Sequence, residues 1–491
     1  MINADTHQAD ATGASSLKFG TSGLRGLVTE LNGVPAYAYT RAFAEMLKED
    51  GAAAGMNRTV LVGRDLRGSS PSIARLCCAA LDDAELAPED CGPLPTPALA
   101  YQAMRCGVPA VMVTGSHIPE DRNGLKFYRT EGEIDKQDET RILALHARLN
   151  VRGMPDSGQG FQGVTPGKDP IAAYKARYLE YFGAWSLSGL TIGVYQHSSV
   201  ARDLLVEVLE ALGARTVPLG RATSFIPVDT EALREEDELL MQQWAGEQAL
   251  DAIVSTDGDA DRPLIADGTG AFLRGDLVGA ITARYLGADA LVTPVTSNSA
   301  LEESGLFRRV IRTKVGSPYV IEGMSEAKRS GAQVVVGFEA NGGVLLGSDV
   351  ERDGRCLTAL PTRDAMLPIL CVLSEMAVRA QPLADIAADL SFKVAMSNRL
   401  KNVASERAGF LLSRLQQDIA FRRDLFAPLG GVAGLDARDG LRITANNGEV
   451  VHFRASGNAP ELRVYVEASS SSRAESLLNW GLSVAAHQIG S

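Results

Sequence analysis

The chain has 491 residues, of which 45% are hydrophobic and 22% charged; this is a globular composition, and the length calls for three or four domains. Its formal net charge of −12 argues against nucleic acid or an anionic membrane as a partner, although local arginines can still bind a small anionic substrate. Six scattered cysteines without a CxxC pair, and a polar amino terminus, predict a reduced, cytoplasmic protein with no secretory signal and no membrane span.

The first loop with candidate reactive side chains follows a strand–helix–strand pattern. A strand from Val60 is followed by a predicted helix over 72–86, and the apolar run 110–113 ends at Thr-Gly-Ser-His-Ile-Pro119. This pattern predicts a buried strand that presents Ser116 on a tight loop, with His117 as a neighbouring base. An ordinary strand-end turn is the alternative, and the G-x-S-x-G elbow of esterases is absent. Lys126 is a candidate general acid/base or phosphate neutraliser, or else a surface lysine.

The second loop carries three carboxylates. A strand from Leu190 and a predicted helix over 201–212 precede the run 253–256, which leads into Asp-Gly-Asp-Ala-Asp-Arg262. Asp257, Asp259 and Asp261 can converge on one hard cation and leave room for a phosphate oxygen, as Mg²⁺ prefers. An EF-hand is excluded because its sixth position is Arg262 and its twelfth is glycine. A solvated acidic turn is the alternative, but a presented serine with this loop suggests metal-assisted phosphoryl transfer.

The third copy of the pattern and the last quarter of the chain complete the predicted fold. Strands at 290–294 and 334–338 flank a predicted helix over 318–330, and the second strand ends at Glu339. Three such copies predict parallel or mixed sheets with ligands at the carboxyl ends of their strands. After them come a hairpin over 441–454 with an Asn-Asn-Gly turn, a strand at 462–467 and a closing helix from about Ser472, which predict a small α+β domain.

We therefore predict an α/β protein of four domains, three with mixed sheets and a smaller α+β domain at the carboxyl terminus, around a central cleft. A Gly- and Pro-rich linker is expected over 154–169. The predicted limits are 1–165 with the serine loop, 166–270 with the metal loop, 271–385 with a sugar-recognition loop and 386–491 with a phosphate-binding loop.

Four motifs in order resemble those of the α-D-phosphohexomutases, a superfamily that includes phosphoglucomutase and phosphomannomutase. They are Phe-Gly-Thr-Ser-Gly-Leu-Arg-Gly26, Thr-Gly-Ser-His-Ile-Pro119, Asp-Gly-Asp-Ala-Asp-Arg262 and Arg-Ala-Ser-Gly-Asn-Ala-Pro460. The resemblance covers nearly the whole chain. The second motif usually carries Ala where Gly115 stands.

The resemblance implies a mechanism. Ser116 would carry a phosphate, and Mg²⁺ would be held by that phosphate and by Asp257, Asp259 and Asp261. The phosphoserine would phosphorylate a hexose monophosphate, and a hexose 1,6-bisphosphate, which also serves as activator, would reorient and return its other phosphate. Arg25 and Lys126 match family positions near the transferred phosphate, where positioning and charge neutralisation carry the reaction.

The resemblance also implies how the substrate is held. The non-transferred phosphate would be bound by Arg454, Ser456, Gly457 and Asn458, with Arg262 as a further anion-binding group beside the metal. Glu339, Asn341, Lys314 and Ser317 are the candidate sugar contacts, but two histidines that the family usually has in these loops are absent; Ser317 stands in place of one of them.

The predicted partner is thus a small hexose phosphate. Mannose 1-/6-phosphate is the first choice of substrate and glucose phosphates are the second, so a phosphoglucomutase or a dual-specificity mutase is the alternative function. A phosphatase that works through a phosphoserine and a non-catalytic sugar-phosphate sensor are remoter alternatives. The sequence leaves the oligomeric state, monomer or dimer, open.

Overall fold

The computed structural model describes residues 15–20, 23–51, 58–149, 169–456 and 460–490. Within these ranges the chain forms four large sheets in sequence order, each with its own helices. None of the helices in the described part of the chain is both long and apolar enough to cross a membrane. All of the predicted linker over 154–169 except its last residue lies outside the described residues.

The first unit is a mixed sheet with helices. Its elements are β1 (Lys18–Phe19), β2 (Leu24–Leu27), α1 (Val28–Leu31), α2 (Val34–Glu49), β3 (Thr59–Arg64), α3 (Ser70–Asp82), β4 (Ala87–Pro93), α4 (Thr96–Cys106), β5 (Ala110–Val113), β6 (Arg122–Arg129), β7 (Gly132–Glu133) and α5 (Lys136–Arg148). The strand order is β1-β2-β6-β5-β3-β4, with β7 on β6. β3 is parallel to β4 and β5, whereas β6 is antiparallel to β5.

One helix of this unit is shorter than its sequence pattern predicts. The pattern extends over 72–86, but α3 ends at Asp82. Glu85 has a φ of +60°, a conformation that interrupts a right-handed helix. The chain thereby turns directly into β4, a strand that the sequence pattern did not indicate.

The second unit repeats the arrangement on a smaller scale. Its elements are α6 (Pro170–Phe182), β8 (Thr191–His197), α7 (Arg202–Ala211), β9 (Arg215–Arg221), α8 (Glu235–Glu247), β10 (Ala252–Thr256) and β11 (Pro263–Asp267). The order is β11-β10-β8-β9. β8 is parallel to β9 and β10, and β11 returns antiparallel to β10.

The third unit follows the same scheme. Its elements are α9 (Gly275–Leu286), β12 (Ala290–Pro294), α10 (Ala300–Glu303), β13 (Arg309–Thr313), α11 (Ser317–Arg329), β14 (Val335–Phe338), β15 (Val344–Leu346), β16 (Val350–Arg352), β17 (Arg355–Leu357), β18 (Leu360–Asp364), α12 (Met366–Arg379) and α13 (Leu383–Ala388). The order is β13-β12-β14-β15-β18, and β16 pairs with β17. β12 is parallel to β13 and β14, and β15 is antiparallel to β14.

The fourth unit is an antiparallel sheet with helices. Its elements are β19 (Val394–Lys401), α14 (Ser405–Gln417), α15 (Ile419–Phe426), a 3₁₀ turn (Ala427–Leu429), β20 (Val432–Asp436), β21 (Leu441–Ala445), β22 (Val450–Ala455), β23 (Glu461–Ala468) and α16 (Ser471–Gly490). The order is β19-β23-β22-β21-β20. The predicted hairpin joins β21 to β22, and Gly448 supplies its positive φ of +82°.

The predicted fold class is confirmed: three α/β units with mixed sheets precede an α+β unit. A continuous apolar core joins residues of the first three units, and a separate one fills the fourth. Three strands lead into the loops that carry Ser116, the three aspartates and Glu339. These strands, β5, β10 and β14, are buried along their whole length. Their carboxyl ends deliver the candidate site residues, as expected for parallel α/β sheets.

Candidate active site

Ser116 occupies a constrained loop directly after β5. Its φ is +55°, in the left-handed region that a residue with a side chain seldom adopts, and it is fully buried. Its amide donates to Thr114 Oγ1 at 2.8 Å. Its Oγ donates to Asp257 Oδ2 at 2.6 Å and lies 3.2 Å from Nδ1 of His117. The serine is therefore fixed against the first carboxylate of the metal loop.

The unusual backbone of this loop is supported by a buried ion pair. Asp65 accepts hydrogen bonds from the Thr114 hydroxyl and the Gly115 amide. It also pairs with Arg67, whose guanidinium donates to the carbonyl oxygens of Ser116, Ile118, Pro119 and Arg122. Buried carbonyl groups require such partners, so the end of β3 stabilises the serine loop.

Asp257, Asp259 and Asp261 form a buried group in which one carboxylate oxygen from each residue lies within 4.8 Å of the other two. Oδ1 of Asp259 and Oδ1 of Asp261 are buried without a hydrogen-bond partner among the described residues. Lys126 Nζ donates to Oδ2 of both carboxylates at 2.6 Å. Three clustered carboxylates with unpartnered hard oxygen donors, beside a serine oxygen, fit a divalent cation with open coordination positions.

The charges of the site shift one another's pKa values. Burial, with the neighbouring carboxylates, raises the pKa of Asp257 well above its usual range. Burial also favours a raised value for Asp261, but Arg363, Lys126 and Arg262 outweigh it and lower that pKa. The Lys126 ammonium loses solvation by burial, yet Asp259 and Asp261 raise its pKa overall, so it is protonated at neutral pH.

Two further groups at the serine end also have lowered pKa values. Burial, followed by Arg262 and Arg25, lowers the pKa of His117 well below 6.5, so the imidazole is neutral near pH 7. The enclosure of Arg25, together with Arg262 and Arg363, lowers its pKa to about 10. The site therefore holds a neutral base beside Ser116 and several cations directed at the same space, as binding of a phosphate requires.

The loop after β14 is joined to the metal loop by Arg363, at the end of β18. Its guanidinium donates to Asp261 Oδ2 at 2.7 Å and to Glu339 Oε2 at 2.9 Å. Asn341 uses its side-chain oxygen to accept from the Gly343 amide, which closes the loop on itself. Within the described residues only Oε2 of Glu339 has a hydrogen-bond partner, so its other carboxylate oxygen remains available as an acceptor.

These loops surround a cleft with a volume of about 450 Å³. Half of the predicted site residues line it: Arg25, His117, Arg262, Lys314, Glu339, Asn341, Arg454 and Ser456. Ser116, Lys126 and the three aspartates are buried and are not part of its lining. Arg454 pairs through Nε with Asp439 Oδ1 at 2.9 Å, and Asp439 also accepts from the Val315 amide. The cleft thus has cations at the serine end and again on the fourth unit.

Some predicted residues lie elsewhere. Ser317 is fully buried and its hydroxyl donates to Glu133 Oε2 at 3.0 Å, so it joins the start of α11 to β7 of the first unit and is not part of the cleft lining. Gly457 and Asn458 lie outside the described residues. Arg363 and Glu231, which also line the cleft, belong to none of the four sequence motifs.

The fold and the site together define a four-unit α/β enzyme of the phosphohexomutase class. Family models described as phosphoglucomutase/phosphomannomutase match all four units: domain I over residues 16–150, domain II over 176–270, domain III over 274–393 and the C-terminal domain over 392–479. The chain belongs to the phosphoglucomutase/phosphomannomutase family.

Individual relatives agree with this assignment. The chain is 51% identical to a phosphomannomutase of Sinorhizobium fredii, covering 95% of this chain and 98% of the relative. It is 40% identical to a phosphomannomutase of Salmonella muenchen, covering 98% of each. A putative phosphomannomutase structure from Thermus thermophilus has the same fold, with a TM-score of 0.74, 24% identity and 96% and 99% of the two chains covered.

Proposed function

We propose that this enzyme interconverts mannose 1-phosphate and mannose 6-phosphate through a phosphoserine at Ser116 and a hexose 1,6-bisphosphate intermediate. The observation that carries the proposal is the 2.6 Å hydrogen bond between Ser116 Oγ and Asp257 Oδ2. Ser116 Oγ lies 3.2 Å from Nδ1 of His117, and His117 lines a cleft that also reaches Arg454. Ser116 and the aspartate group would transfer a phosphate at one end of the substrate, and Arg454 would bind the phosphate at the other end. This arrangement fits a bisphosphate that can bind in either of two orientations.

The residues of the chain account for the transfer. The P–O bond to Ser116 breaks as a P–O bond to the sugar hydroxyl forms, and the hydroxyl proton passes to a base, for which we propose the neutral His117. Lys126 and Arg25 neutralise the phosphoryl oxygens. Mg²⁺ held by Asp257, Asp259 and Asp261 would supply further charge stabilisation there.

The opposite end of the cleft holds the phosphate that is not transferred. Arg454 offers a planar guanidinium that suits a phosphate, and Ser456 lines the cleft beside it. A simple phosphatase gains little from this second phosphate site, which argues against that alternative. A non-catalytic sensor is disfavoured because Ser116 and the complete acidic group are brought together.

The choice of mannose is supported by the two phosphomannomutase relatives, at 51% and 40% identity. Glucose phosphates are the second candidate substrates. Glu339 and Asn341 belong to the loop that we propose recognises the sugar, and Lys314 lines the same cleft. A sugar contact from Ser317 and phosphate contacts from Gly457 and Asn458 stay predictions.

The decisive experiment combines intact-mass measurement with coupled assays. After incubation with a hexose 1,6-bisphosphate, the wild-type protein should gain one phosphate and Ser116→Ala none, with nearly all turnover lost in the variant. Ser325→Ala, on the exposed face of α11, is the matched control and should behave as wild type. Full activity of Ser116→Ala would contradict the phosphoserine mechanism.

Substrate identity needs a separate assay. Wild-type kcat/KM should be measured on mannose, glucose, glucosamine and N-acetylglucosamine 1-phosphates, with mannose 1-phosphate expected to be highest. A higher value for another sugar would move the proposal to that sugar and leave the chemistry at Ser116 unaffected.

A further inference from the structure

Glu231 is an acidic residue in the wall of the catalytic cleft that none of the sequence motifs contains. It lies in the segment between β9 and α8 and lines the cleft together with Glu339 and Arg262. Its side chain is exposed, whereas the neighbouring Thr230 is almost completely buried. Solvent in the cleft, and therefore a substrate there, can reach the Glu231 carboxylate.

The position of Glu231 is fixed by its neighbours in the chain. The Thr230 hydroxyl donates to the Asn341 carbonyl oxygen at 2.8 Å, which ties the segment to the loop after β14. The Glu231 amide donates to Asp229 Oδ1 at 3.0 Å, and the same oxygen lies 3.9 Å from Nη1 of Arg262. Glu231 is thus held between the candidate sugar loop and the arginine of the metal loop.

The carboxylate of Glu231 differs from the other two that line this cleft. Glu339 is paired with Arg363 and Asp439 with Arg454. Among the described residues, the Glu231 carboxylate makes no hydrogen bond or ion pair. The enclosure of the cleft raises its pKa, and Arg262 and Arg463, within electrostatic range, partly oppose this shift. Both of its oxygens therefore remain available as acceptors.

The charge of Glu231 restricts the part of a substrate that it can contact. A carboxylate repels a phosphate group but accepts hydrogen bonds from hydroxyls. In a hexose phosphate that spans from Ser116 to Arg454, the hydroxyl-bearing part is the ring between the two ends. Glu231 lies within electrostatic range of Arg262 and Glu339, and also of Arg463 from the fourth unit. This position between the second, third and fourth units suits a contact with the ring.

We propose that Glu231 is a substrate-binding residue that accepts hydrogen bonds from ring hydroxyls of the hexose and thereby contributes to sugar selection. This inference rests on the proposed function, because it requires a hexose phosphate in the cleft. It adds a second carboxylate, from the second unit, to the sugar contact expected from Glu339 in the third.

The test is a double-mutant-type cycle, in which a side chain of the protein and a hydroxyl of the sugar are removed singly and together. The wild type, Glu231→Ala and Glu231→Gln should be assayed with mannose 6-phosphate and with its 2-, 3- and 4-deoxy derivatives. Loss of a hydrogen-bonded charged acceptor should lower kcat/KM for the complete sugar by about 10- to 100-fold. For the deoxy sugar that lacks the recognised hydroxyl, the same substitution should change kcat/KM by less than about threefold. Equal losses with all sugars would overturn the proposal.

A second measurement separates a binding role from a general disturbance of the site. Inhibition by inorganic phosphate depends on the cations of the cleft, so Glu231→Ala should leave its inhibition constant unchanged or make it lower. Glu235→Gln, an exposed acidic residue at the start of α8 outside the cleft wall, should match the wild type in all assays. Weaker phosphate inhibition in Glu231→Ala would contradict a role confined to the sugar.

Failure of this inference is distinguishable from failure of the proposed function. If the wild type turns over mannose 6-phosphate but the Glu231 variants keep its preferences, only the role of Glu231 is wrong. If the wild type gains no phosphate at Ser116 and converts no hexose phosphate, the proposed function itself is wrong.

Discussion

The candidate active site is unusual at the level of single residues because so many charges are buried together. Three aspartates, Lys126, Arg262 and Arg363 are each less than a tenth exposed. Isolated charges in such positions would be strongly unfavourable, whereas opposed charges with hydrogen bonds are tolerated. Each side chain is therefore needed to balance its neighbours, in addition to any part in the reaction.

Arg363 provides a test of this balance. Arg363→Ala would leave Asp261 and Glu339 without their shared cation, and we expect it to reduce the free energy of unfolding by about 3 to 5 kcal/mol. Arg363→Lys retains the charge but loses the two-pronged geometry, so it should fold and still lose about 10- to 100-fold in kcat/KM. Urea titrations and coupled assays check both, with exposed Arg329→Lys as the control. Wild-type kinetics in Arg363→Lys would show that the geometry of the pair is unimportant.

His452, on β22 of the fourth unit, predicts a pH effect on stability. Its Nε2 donates to the Asp439 carbonyl oxygen, and its Nδ1 is buried without a partner among the described residues. Burial lowers the pKa of His452 from 6.5 to about 4. Above pH 6.5 the ring is neutral in both folded and unfolded chains, but below it the unfolded chain binds a proton first.

Stability should therefore fall as the pH drops from 6.5 toward 4, and the contribution of His452 amounts to about 2 kcal/mol at pH 5. Urea unfolding at pH 7 and pH 5 should show a smaller difference for His452→Gln than for the wild type. An equal difference in both proteins would show that His452 does not titrate as described.

The sequence motifs predicted Ser116 and the three aspartates, because each follows an apolar run that ends in a short polar loop. Arg363 and Glu231 were not predicted. Arg363 lies near the end of an antiparallel strand, and no motif follows it. Glu231 lies in an irregular segment. Whether either residue reaches the cleft depends on how separate units pack. A charged residue inside the buried strand β18 is the one local signal that could have indicated Arg363.

At the scale of elements, close backbone contact between α9 and the candidate sugar loop fixes the site. Gly275 begins α9, and a Cβ atom there would lie 2.1 Å from the Gly342 amide nitrogen and 2.4 Å from the Ala340 carbonyl oxygen. Such distances are far below van der Waals contact. Glycine at this position therefore allows the helix to support the loop that carries Glu339.

Gly275→Ala should displace this loop and lower kcat/KM by about 100-fold, since small shifts in a positioning loop have large kinetic effects. Gly246→Ala is the matched control, because a Cβ atom there meets nothing within 4 Å in α8. The control should keep full activity and gain up to about 1 kcal/mol in stability from its better helix propensity. Unchanged activity in Gly275→Ala would mean that the loop adjusts without consequence.

The repeated strand–helix–strand pattern predicted the parallel pairs of β3 with β5, β8 with β10 and β12 with β14. It did not predict β4 or the return strands β15 and β18. β4 contains charged residues and two prolines in the run 87–93, and β15 is only three residues long. Both segments form strands because neighbouring strands in the sheet pair with them. Local residue propensity does not indicate pairing of this kind.

At the scale of the molecule, side-chain contacts join the units around the cleft. Thr96 of the first unit donates to Asp259 of the second, and Glu133 accepts from Thr362 of the third. The fourth unit reaches the third through Asp439 and the Val315 amide. The fourth unit thereby brings Arg454 into the same cleft wall as His117, the neighbour of the buried serine. The limits proposed for the four domains stay a prediction.

This arrangement predicts a particular defect for Arg454→Ala. The proposed cycle requires a bisphosphate to turn around without leaving, and Arg454 would hold whichever phosphate is distant from Ser116. Loss of this cation should raise KM for hexose monophosphates by about 10- to 100-fold. It should also raise the concentration of hexose 1,6-bisphosphate needed for full activity, because the intermediate escapes more often and leaves Ser116 without phosphate.

Coupled assays at increasing bisphosphate concentrations check this prediction, with intact-mass measurement of the phosphorylated fraction during turnover. Arg454→Lys, which keeps the charge, should recover part of the loss. Arg438→Ala, whose side chain contacts the third unit at Arg312 outside the catalytic cleft, should resemble the wild type. An Arg454→Ala enzyme with normal KM and normal bisphosphate requirement would mean that the fourth unit does not retain the intermediate, and the two-ended substrate geometry would then be wrong.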